Sequence, residues 1–215
     1  MLLSLYIYKI KMNIKIFQDD LPEDIDLSNE KVVALDNEAL GLVLGRDPLT
    51  LVQIGLMSKE CFIIKLNREN YNAPNLKKFL SNEKTEFIMH YARQDLIWLK
   101  YHLGVEPKKI FCSKLASKIA RSFTDYHGYK DLVKELCGKE ISKKQQQSDW
   151  GNPNLTESQI KYAAQDTQYL FEIKDKLSEM LRREKRYDLF EKCLKVIPIL
   201  VDMEISGFKI STFDH

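Results

Sequence analysis

The segment Val32-Val33-Ala34-Leu35-Asp36-Asn37-Glu38 is a short apolar run that ends in two carboxylates. A short, continuously apolar run predicts a strand that is buried on both faces of a sheet. Because side chains alternate along a strand, Asp36 and Glu38 leave by the same face, about 7 Å apart at their Cα atoms. A hard divalent cation with oxygen ligands would offset the repulsion between the two acids. The alternative is a strand that ends in solvent with both acids hydrated.

Further strands are predicted on both sides of this segment. Two apolar segments, Leu49–Leu56 and Cys61–Leu66, are joined by a short polar turn and predict an antiparallel meander with the Asp36 strand. Asn13–Phe17 alternates apolar and polar residues, which is typical of a short edge strand. Glu86–His90 indicates another strand, so we expect a sheet of at least five strands.

Apolar residues at helical spacing dominate the remainder of the chain. The predicted helices are Pro74–Leu80, Ala92–Leu103, Ser113–Arg121, Tyr129–Cys137, Glu157–Leu181 and Lys185–Ser206. A last short strand is predicted at Ile110–Phe111, and the chain is expected to be helical from about residue 113 onward. This order of elements predicts an α/β fold, a mixed sheet with helices packed on it.

Composition indicates one globular domain. The chain has 215 residues, and 33 Lys and Arg oppose 31 Asp and Glu, so net charge alone does not indicate a nucleic-acid-binding protein. The four cysteines form no C-x-x-C pair, which favours free thiols and a cytoplasmic location. We found no stretch as long as a membrane span and expect no membrane partner. Met12 offers a second start, so residues 1–12 are interpreted as an N-terminal extension and 13–215 as a single domain.

Two later motifs also contain acids. His90-Tyr91-Ala92-Arg93-Gln94-Asp95 lies at a predicted strand-to-helix junction, where the helix macrodipole alone would favour an acid in the first turn. Thr156-Glu157-Ser158-Gln159 fits a capping box, which predicts a helix start. Tyr162 and Asp166 are four residues apart and therefore share one face of that helix. The alternative for this pair is a solvated helix face, although Ala163 and Ala164 between them favour close packing.

Together the three motifs resemble a known family. Leu35–Glu38, His90–Asp95 and Tyr162–Asp166 are similar to the motifs of the 3′–5′ exonuclease superfamily with a four-acid DEDD core. The Tyr four residues before the last Asp resembles the DEDDy branch, the ribonuclease D-like group. The resemblance covers about Ile14 to Leu181 and implies a ribonuclease H-like mixed sheet with flanking helices and a helical C-terminal part.

Within that group, the small single-domain nanoRNase C enzymes are most similar, through an opening Phe17-Gln18-Asp19-Asp20-Leu21-Pro22. Asn37 departs from the pattern, since the family usually has Thr between the first two acids. Its side chain is expected to point away from the face that carries Asp36 and Glu38, so we expect activity to be retained. The resemblance also implies a homo-oligomer, a ring of eight.

The resemblance implies a site with two divalent cations, Mg²⁺ or Mn²⁺. The expected metal ligands, which are also the catalytic acids, are Asp36, Glu38, Asp95 and Asp166. Tyr162 is expected to orient the attacking water. Leu40, Leu42 and His90 are candidate substrate-binding residues, with core packing as the alternative for the two leucines. Lys114, Lys118 and Arg121 share a helix face and are candidates for phosphate contacts. Further candidates are Lys143-Lys144 and Arg182-Arg183 with Lys185-Arg186, although such basic groups are often only solvated.

The implied function is a metal-dependent 3′–5′ exoribonuclease that releases nucleoside 5′-monophosphates from short oligoribonucleotides, including dinucleotides. One alternative is a general 3′–5′ exonuclease that acts on longer RNA or on DNA. An alternative from another class is a nucleic-acid-binding scaffold that has lost catalysis. The presence of all four acids and the tyrosine argues against the scaffold.

Overall fold

A computed structural model of the chain describes residues 12–213, so most of the predicted N-terminal extension lies outside the described residues. The strands are β1 (Asn13–Gln18), β2 (Val32–Ala39), β3 (Leu49–Gly55), β4 (Glu60–Lys65), β5 (Glu86–Met89) and β6 (Ile110–Cys112). The helices are α1 (Pro74–Leu80), α2 (Ala92–Trp98), α3 (Ser113–Ala120), α4 (Tyr129–Cys137), α5 (Glu157–Gln168), α6 (Leu170–Arg183), α7 (Tyr187–Leu194) and α8 (Ile197–Ile205). A π-helical turn, Leu99–Leu103, extends α2, and a 3-10 turn, Ile210–Phe213, follows α8.

The strands form one mixed sheet in the order β1-β4-β3-β2-β5-β6. Strands β2, β3 and β4 pair antiparallel, as the meander prediction requires, and β1 is an edge strand parallel to β4. Strands β5 and β6 extend the other side of β2 in parallel. The predicted α/β class, a mixed sheet with flanking helices, is confirmed.

Helices cover both faces of the sheet, which explains why the central strands are apolar on both faces. Every residue of β3 is buried. On one face, Val33 and Leu35 of β2 pack into a core with α1, α2 and α8. On the other face, Ala34 belongs to a core with α3, α4 and α6, and α5 packs over β2, β3 and β4. Among the described helices, none combines the length and apolar character needed to cross a membrane.

The prediction of two long C-terminal helices was wrong, because each is divided in two. The predicted helix 185–206 is broken between Leu194 and Ile197. Pro198 explains this break, because a proline inside a helix lacks the amide hydrogen and clashes with the carbonyl group four residues earlier, here that of Leu194. In the observed structure Pro198 lies in the first turn of α8, where a proline is tolerated.

The predicted helix 157–181 is interrupted at Tyr169 by a side chain from another helix. The Tyr129 hydroxyl of α4 donates a hydrogen bond to the Gln165 carbonyl (2.9 Å) and accepts one from the Tyr169 amide (3.3 Å). It therefore replaces the backbone bond that would join these two groups in a continuous helix. Asp166 lies in the turn that this hydroxyl bridges, so Tyr129 sets the backbone at the end of α5.

Candidate active site

Two of the predicted acids leave β2 on the face that α5 covers. Asp36 lies opposite Gln53 of β3, and Glu38 lies opposite Leu51. The ladder shifts register after Glu38, so regular pairing is disturbed directly beside the second acid. The hydroxyl of Thr50 donates a 2.8 Å hydrogen bond to the Glu38 carbonyl group, which holds the end of the strand in place.

The start of α5 places the third motif over these acids. The capping box is formed, because the Gln159 amide donates to the Thr156 hydroxyl (3.2 Å) and the Thr156 amide donates to the Gln159 side chain (2.9 Å). Ala163 and Ala164 are fully or almost fully buried against the sheet. Their small side chains let α5 pack close to β2 and β3, which brings the adjoining helix positions, Tyr162 and Asp166, near Asp36 and Glu38.

The structure brings the predicted catalytic residues together at one cavity. Carboxylate oxygens of Asp36, Glu38 and Asp166 lie within 4.8 Å of one another. Asp95, from the first turn of α2, and Tyr162 line the same cavity, which has a volume of about 310 Å³. Asp95 stands outside the closest group of three, and its Oδ2 atom is buried without a hydrogen-bond partner in the described structure.

Burial and mutual repulsion oppose ionisation of these acids. Burial, followed by the neighbouring carboxylates, raises the pKa of Glu38 to about 10 and holds the pKa of Asp36 and of Asp95 well above the usual range. Burial raises the pKa of Asp166 to about 7, although the Tyr162 hydroxyl and Lys143 act in the opposite direction. The same surroundings raise the pKa of the Tyr162 phenol, so this group stays protonated at neutral pH.

This donor set fits a hard divalent cation. At 4.8 Å and an effective dielectric constant near 20, each pair of ionised carboxylates costs about 3 kcal/mol. Bound Mg²⁺ or Mn²⁺ would remove that repulsion and would also provide a partner for the orphaned Asp95 oxygen. All the ligand atoms are oxygens, which suits these ions better than zinc.

Asn37 connects the first two motifs. Its side chain leaves the face opposite Asp36 and Glu38, as predicted, and its amide donates a 3.1 Å hydrogen bond to the backbone carbonyl of Asp95. The bond ties the end of β2 to the first turn of α2. Asn37, where the family usually has Thr, therefore has a hydrogen-bonding side chain. Its bond positions Asp95 relative to Asp36 and Glu38.

His90 lines the cavity as a neutral side chain of defined tautomer. Burial, followed by Lys114 and Lys143, lowers its pKa to about 3. The Ser113 hydroxyl donates its single hydrogen to the Met89 carbonyl group (3.1 Å), so it accepts a bond from Nδ1 of His90 (3.0 Å). The Nε2 atom of His90 therefore has a free lone pair and can accept a hydrogen bond from a substrate hydroxyl or amine.

The two candidate leucines follow the end of β2 and are not among the residues that line the cavity. Leu42 is 78% exposed and Leu40 is 40% exposed. Leu40 approaches Gly151 so closely that a Cβ atom at that glycine would lie 3.0 Å from its side chain. Packing against Gly151 therefore explains part of the burial of the Leu40 side chain. Leu42 is an apolar side chain with few protein contacts. Their contact with substrate stays a prediction.

The basic residues are only partly as predicted. Lys114 lines the cavity, with its Nζ atom 3.9 Å from the centre of the Tyr91 ring, and Lys118 is exposed on the same helix. Arg121 was wrongly predicted to contact phosphate, because it is 2% exposed and its guanidinium binds Ser117 and the Tyr126 carbonyl group.

Two residues beside the site, Gln53 and Tyr129, were not singled out from the sequence, whereas Lys143 was a candidate phosphate contact. Lys143 lines the cavity and acts electrostatically on Asp166 and His90. Gln53 lies opposite Asp36, and the only sequence signal for it is a long polar residue within an apolar strand. No sequence pattern indicated Tyr129, because its role depends on contacts with the end of α5, about 40 residues later in the chain.

A family model described as 3′-5′ exonuclease matches residues 14–182. The chain belongs to the 3′–5′ exonuclease family. This assignment confirms the predicted enzyme class.

The chain is 31% identical to ribonuclease D of Xanthomonas oryzae pv. oryzae over 167 residues, which cover 78% of this chain and 45% of that protein. It is 32% identical to ribonuclease D of Gluconacetobacter diazotrophicus over 80% of this chain and 43% of that protein. The exonuclease chain therefore spans less than half the length of these curated relatives.

Solved structures match this exonuclease over nearly its whole length. Brucella melitensis NrnC bound to pGG is 36% identical, with a TM-score of 0.86 over 92% of this chain and 95% of that chain. The same Brucella protein with bound Mg²⁺ is 35% identical, with a TM-score of 0.86 over 95% and 98%. Escherichia coli RNase D, at 20% identity and a TM-score of 0.75, shares the fold over 88% of this chain and 51% of that one. The predicted ribonuclease D-like group, close to NrnC, and its ribonuclease H-like fold are confirmed.

Proposed function

We propose that this chain is a 3′–5′ exoribonuclease that releases nucleoside 5′-monophosphates from short oligoribonucleotides, down to dinucleotides. The observation that carries the proposal is the convergence of four carboxylates and one phenol, from three separate motifs, on a single cavity. Residues 13–215 form the exonuclease domain in this proposal. The complete set of acids argues against a scaffold that has lost catalysis.

Asp36, Glu38, Asp95 and Asp166 would hold two divalent cations, Mg²⁺ or Mn²⁺. When bound, the ions supply charge neutralisation and water activation for an in-line displacement at phosphorus. Support comes from the oxygen-only donor set, the orphaned Asp95 oxygen and the Brucella NrnC structure with bound Mg²⁺. Each of these supports metal dependence.

The chain's other residues would orient the reactants. Tyr162 keeps its proton at neutral pH, so its hydroxyl orients the attacking water and does not act as the base. Lys143 and Lys114 place positive charge at the cavity, where they would bind substrate phosphates. His90 would accept a hydrogen bond from the sugar or base through Nε2, and Leu42 would pack against a base.

Two observations support short RNA as the substrate. A cavity of about 310 Å³ is at the small end of the usual range for ligand sites, about 300–1,000 Å³. The Brucella NrnC that matches this chain almost end to end was solved with pGG, a two-base ligand. The ribonucleases D, which this chain matches over less than half of their length, support RNA as the class of substrate.

We also propose a homo-oligomer of eight subunits. Helices α7 and α8 and the turn between them expose Leu189, Val196 and Ile199, and a partner subunit that covered them would remove apolar surface from water. Static light scattering of the full chain at micromolar concentration tests this, and a fully active monomer would contradict it.

The absence of disulfides among the four cysteines supports the predicted cytoplasmic location.

The experiment is a set of digestions with 5′-labelled RNAs of two, five, ten and twenty nucleotides and matched DNAs, in Mn²⁺ and in EDTA. The expected result is Mn²⁺-dependent shortening of the labelled RNA from its 3′ end, one nucleotide at a time, fastest for the shortest RNAs. Asp36→Asn is the inactive control, because it removes one metal ligand and keeps the side-chain shape. Faster cleavage of twenty-nucleotide RNA or of DNA would support the general exonuclease instead, and binding without cleavage would support the scaffold.

A further inference from the structure

Gln53 is a buried polar side chain without a partner. It is 0% exposed, and neither its Nε2 nor its Oε1 atom has a hydrogen-bond partner in the described structure. Thr50, the other polar side chain of β3, is buried as well, but its hydroxyl bonds the Glu38 carbonyl group. Buried polar groups are nearly always paired in native proteins, so an unpaired amide beside a cluster of acids needs an explanation.

The position of Gln53 in the sheet places its side chain beside a predicted metal ligand. On one side of the ladder it lies opposite Ile63 of β4, and on the other side it lies opposite Asp36 of β2. Residues directly opposite in an antiparallel ladder point to the same face, with Cβ atoms about 4.5–5.5 Å apart. Leu51 and Ala163 belong to the apolar cluster that covers this face. The Asp36 carboxylate is therefore the acidic side chain directly opposite Gln53 in the ladder.

We propose that Gln53 is a positioning residue for the metal site. The described structure lacks a bond between the two side chains. When the divalent cation is bound, the Gln53 amide N–H donates to the Asp36 carboxylate and holds it in the orientation in which it binds the cation. This inference rests on the proposed function, because it presupposes that Asp36 is a metal ligand. Metal-bound carboxylates are generally hydrogen-bonded by such neighbours, and loss of one typically weakens metal binding by about 10- to 100-fold.

The residue type suits this task. A neutral amide orients the carboxylate and leaves its negative charge for the cation, whereas a lysine at this position would neutralise that charge. An apolar side chain of the same length would fill the space, but would give Asp36 no donor. Gln53 therefore keeps a polar group where the fold alone would favour Met or Leu.

The test compares Gln53→Met with the parent protein, because methionine keeps the length and volume and removes both unpaired polar atoms. Mn²⁺ affinity is measured by calorimetry with Mn²⁺ alone, without RNA, and thermal stability is measured in EDTA. We expect the dissociation constant for Mn²⁺ to rise by about 10- to 100-fold. Stability in EDTA should be unchanged or higher, because an unpaired buried amide is gone. Leu51→Met, on the same face of the same strand, is the matched control and should leave the Mn²⁺ affinity unchanged.

Equal Mn²⁺ affinity of Gln53→Met and the parent would overturn the proposal and leave Gln53 as an unpaired core residue. If Gln53→Met does not fold, Gln53→Leu, which is also apolar, takes its place in the same comparison. A parent protein that binds no Mn²⁺ would refute the proposed metal site itself. The two failures are therefore distinguishable, since only the second involves the unmutated chain.

Discussion

Asp36→Asn should stabilise the protein in the absence of divalent cations. The substitution keeps the shape of the side chain and removes the negative charge that faces both Glu38 and Asp166. In EDTA those three acids repel one another in a cavity that also opposes their hydration. A catalytic ligand is therefore expected to be a source of instability whenever its metal is missing.

The magnitude follows from the distances. Oxygen atoms of the three carboxylates lie within 4.8 Å, which corresponds to about 3 kcal/mol for each ionised pair at an effective dielectric constant near 20. Asp36 takes part in two such pairs, but uptake of a proton by a neighbouring acid relieves part of the repulsion. A gain on the order of 3 kcal/mol at pH 8 remains, equivalent to a rise in Tm of roughly 6–12 °C for a chain of this size.

The gain should depend on pH in a defined direction. The pKa of Asp166 is raised to about 7 and that of Glu38 to about 10, both above their values in the unfolded chain, near 4. At pH values above 4, where these acids ionise in the unfolded chain, the folded state binds more protons than the unfolded state. The free energy of unfolding of the parent therefore falls as pH rises. The difference between Asp36→Asn and the parent should vanish near pH 4 and grow toward pH 8.

Differential scanning calorimetry in EDTA at pH 4, 6 and 8 measures this effect. Asp175→Asn, at an exposed position on α6, is the control and should leave Tm unchanged. Saturating Mn²⁺ should reverse the order, because the parent gains binding energy that the variant has lost. A variant that is equally or less stable than the parent in EDTA at pH 8 would refute the electrostatic account of the site.

Three further substitutions test other parts of the structure. Tyr162→Phe should lower kcat by roughly 10²-fold with Mn²⁺ affinity unchanged, because only a water-orienting group is lost; single-turnover rates equal to the parent would show that this residue only packs. Tyr129→Phe should lower the free energy of unfolding by about 1–3 kcal/mol, since Gln165 and Tyr169 each lose a buried partner; an unchanged urea midpoint would contradict that role. Leu42→Ala should leave Tm unchanged, because the side chain is 78% exposed, and should raise KM for a dinucleotide; an unchanged KM would exclude contact with the base.

The features that could be predicted from the sequence are those set by local patterns. The apolar run before Asp36 predicted a central strand, and the capping box at Thr156 predicted the start of α5. Within each motif the spacing of two or four residues is a property of a strand or a helix, so it placed side chains on a common face. The resemblance then supplied what spacing could not, the convergence of three separate motifs.

The features that could not be predicted depend on partners far apart in sequence. The break at Tyr169 is made by the Tyr129 hydroxyl, 40 residues earlier, and no local signal shows it. Arg121 is a basic residue of the kind that binds phosphate, but packing of α3 against the following loop buries its side chain. The break before α8 could have been predicted, because Pro198 is a local signal for it. The apolar periodicity of the segment led instead to the prediction of one continuous helix.

The most direct test of the central claim is the position of the oxygen that water adds during cleavage. A short RNA is digested with Mn²⁺ in water enriched in ¹⁸O, and the products are analysed by mass spectrometry. In-line attack of water on the phosphorus of the 3′-terminal linkage predicts nucleoside 5′-monophosphates that carry one ¹⁸O atom in the phosphate, beside a shortened RNA with an unlabelled 3′-hydroxyl group. Products with a 3′-phosphate or a cyclic phosphate, or release that continues unchanged in EDTA, would contradict a metal-dependent 3′–5′ exonuclease.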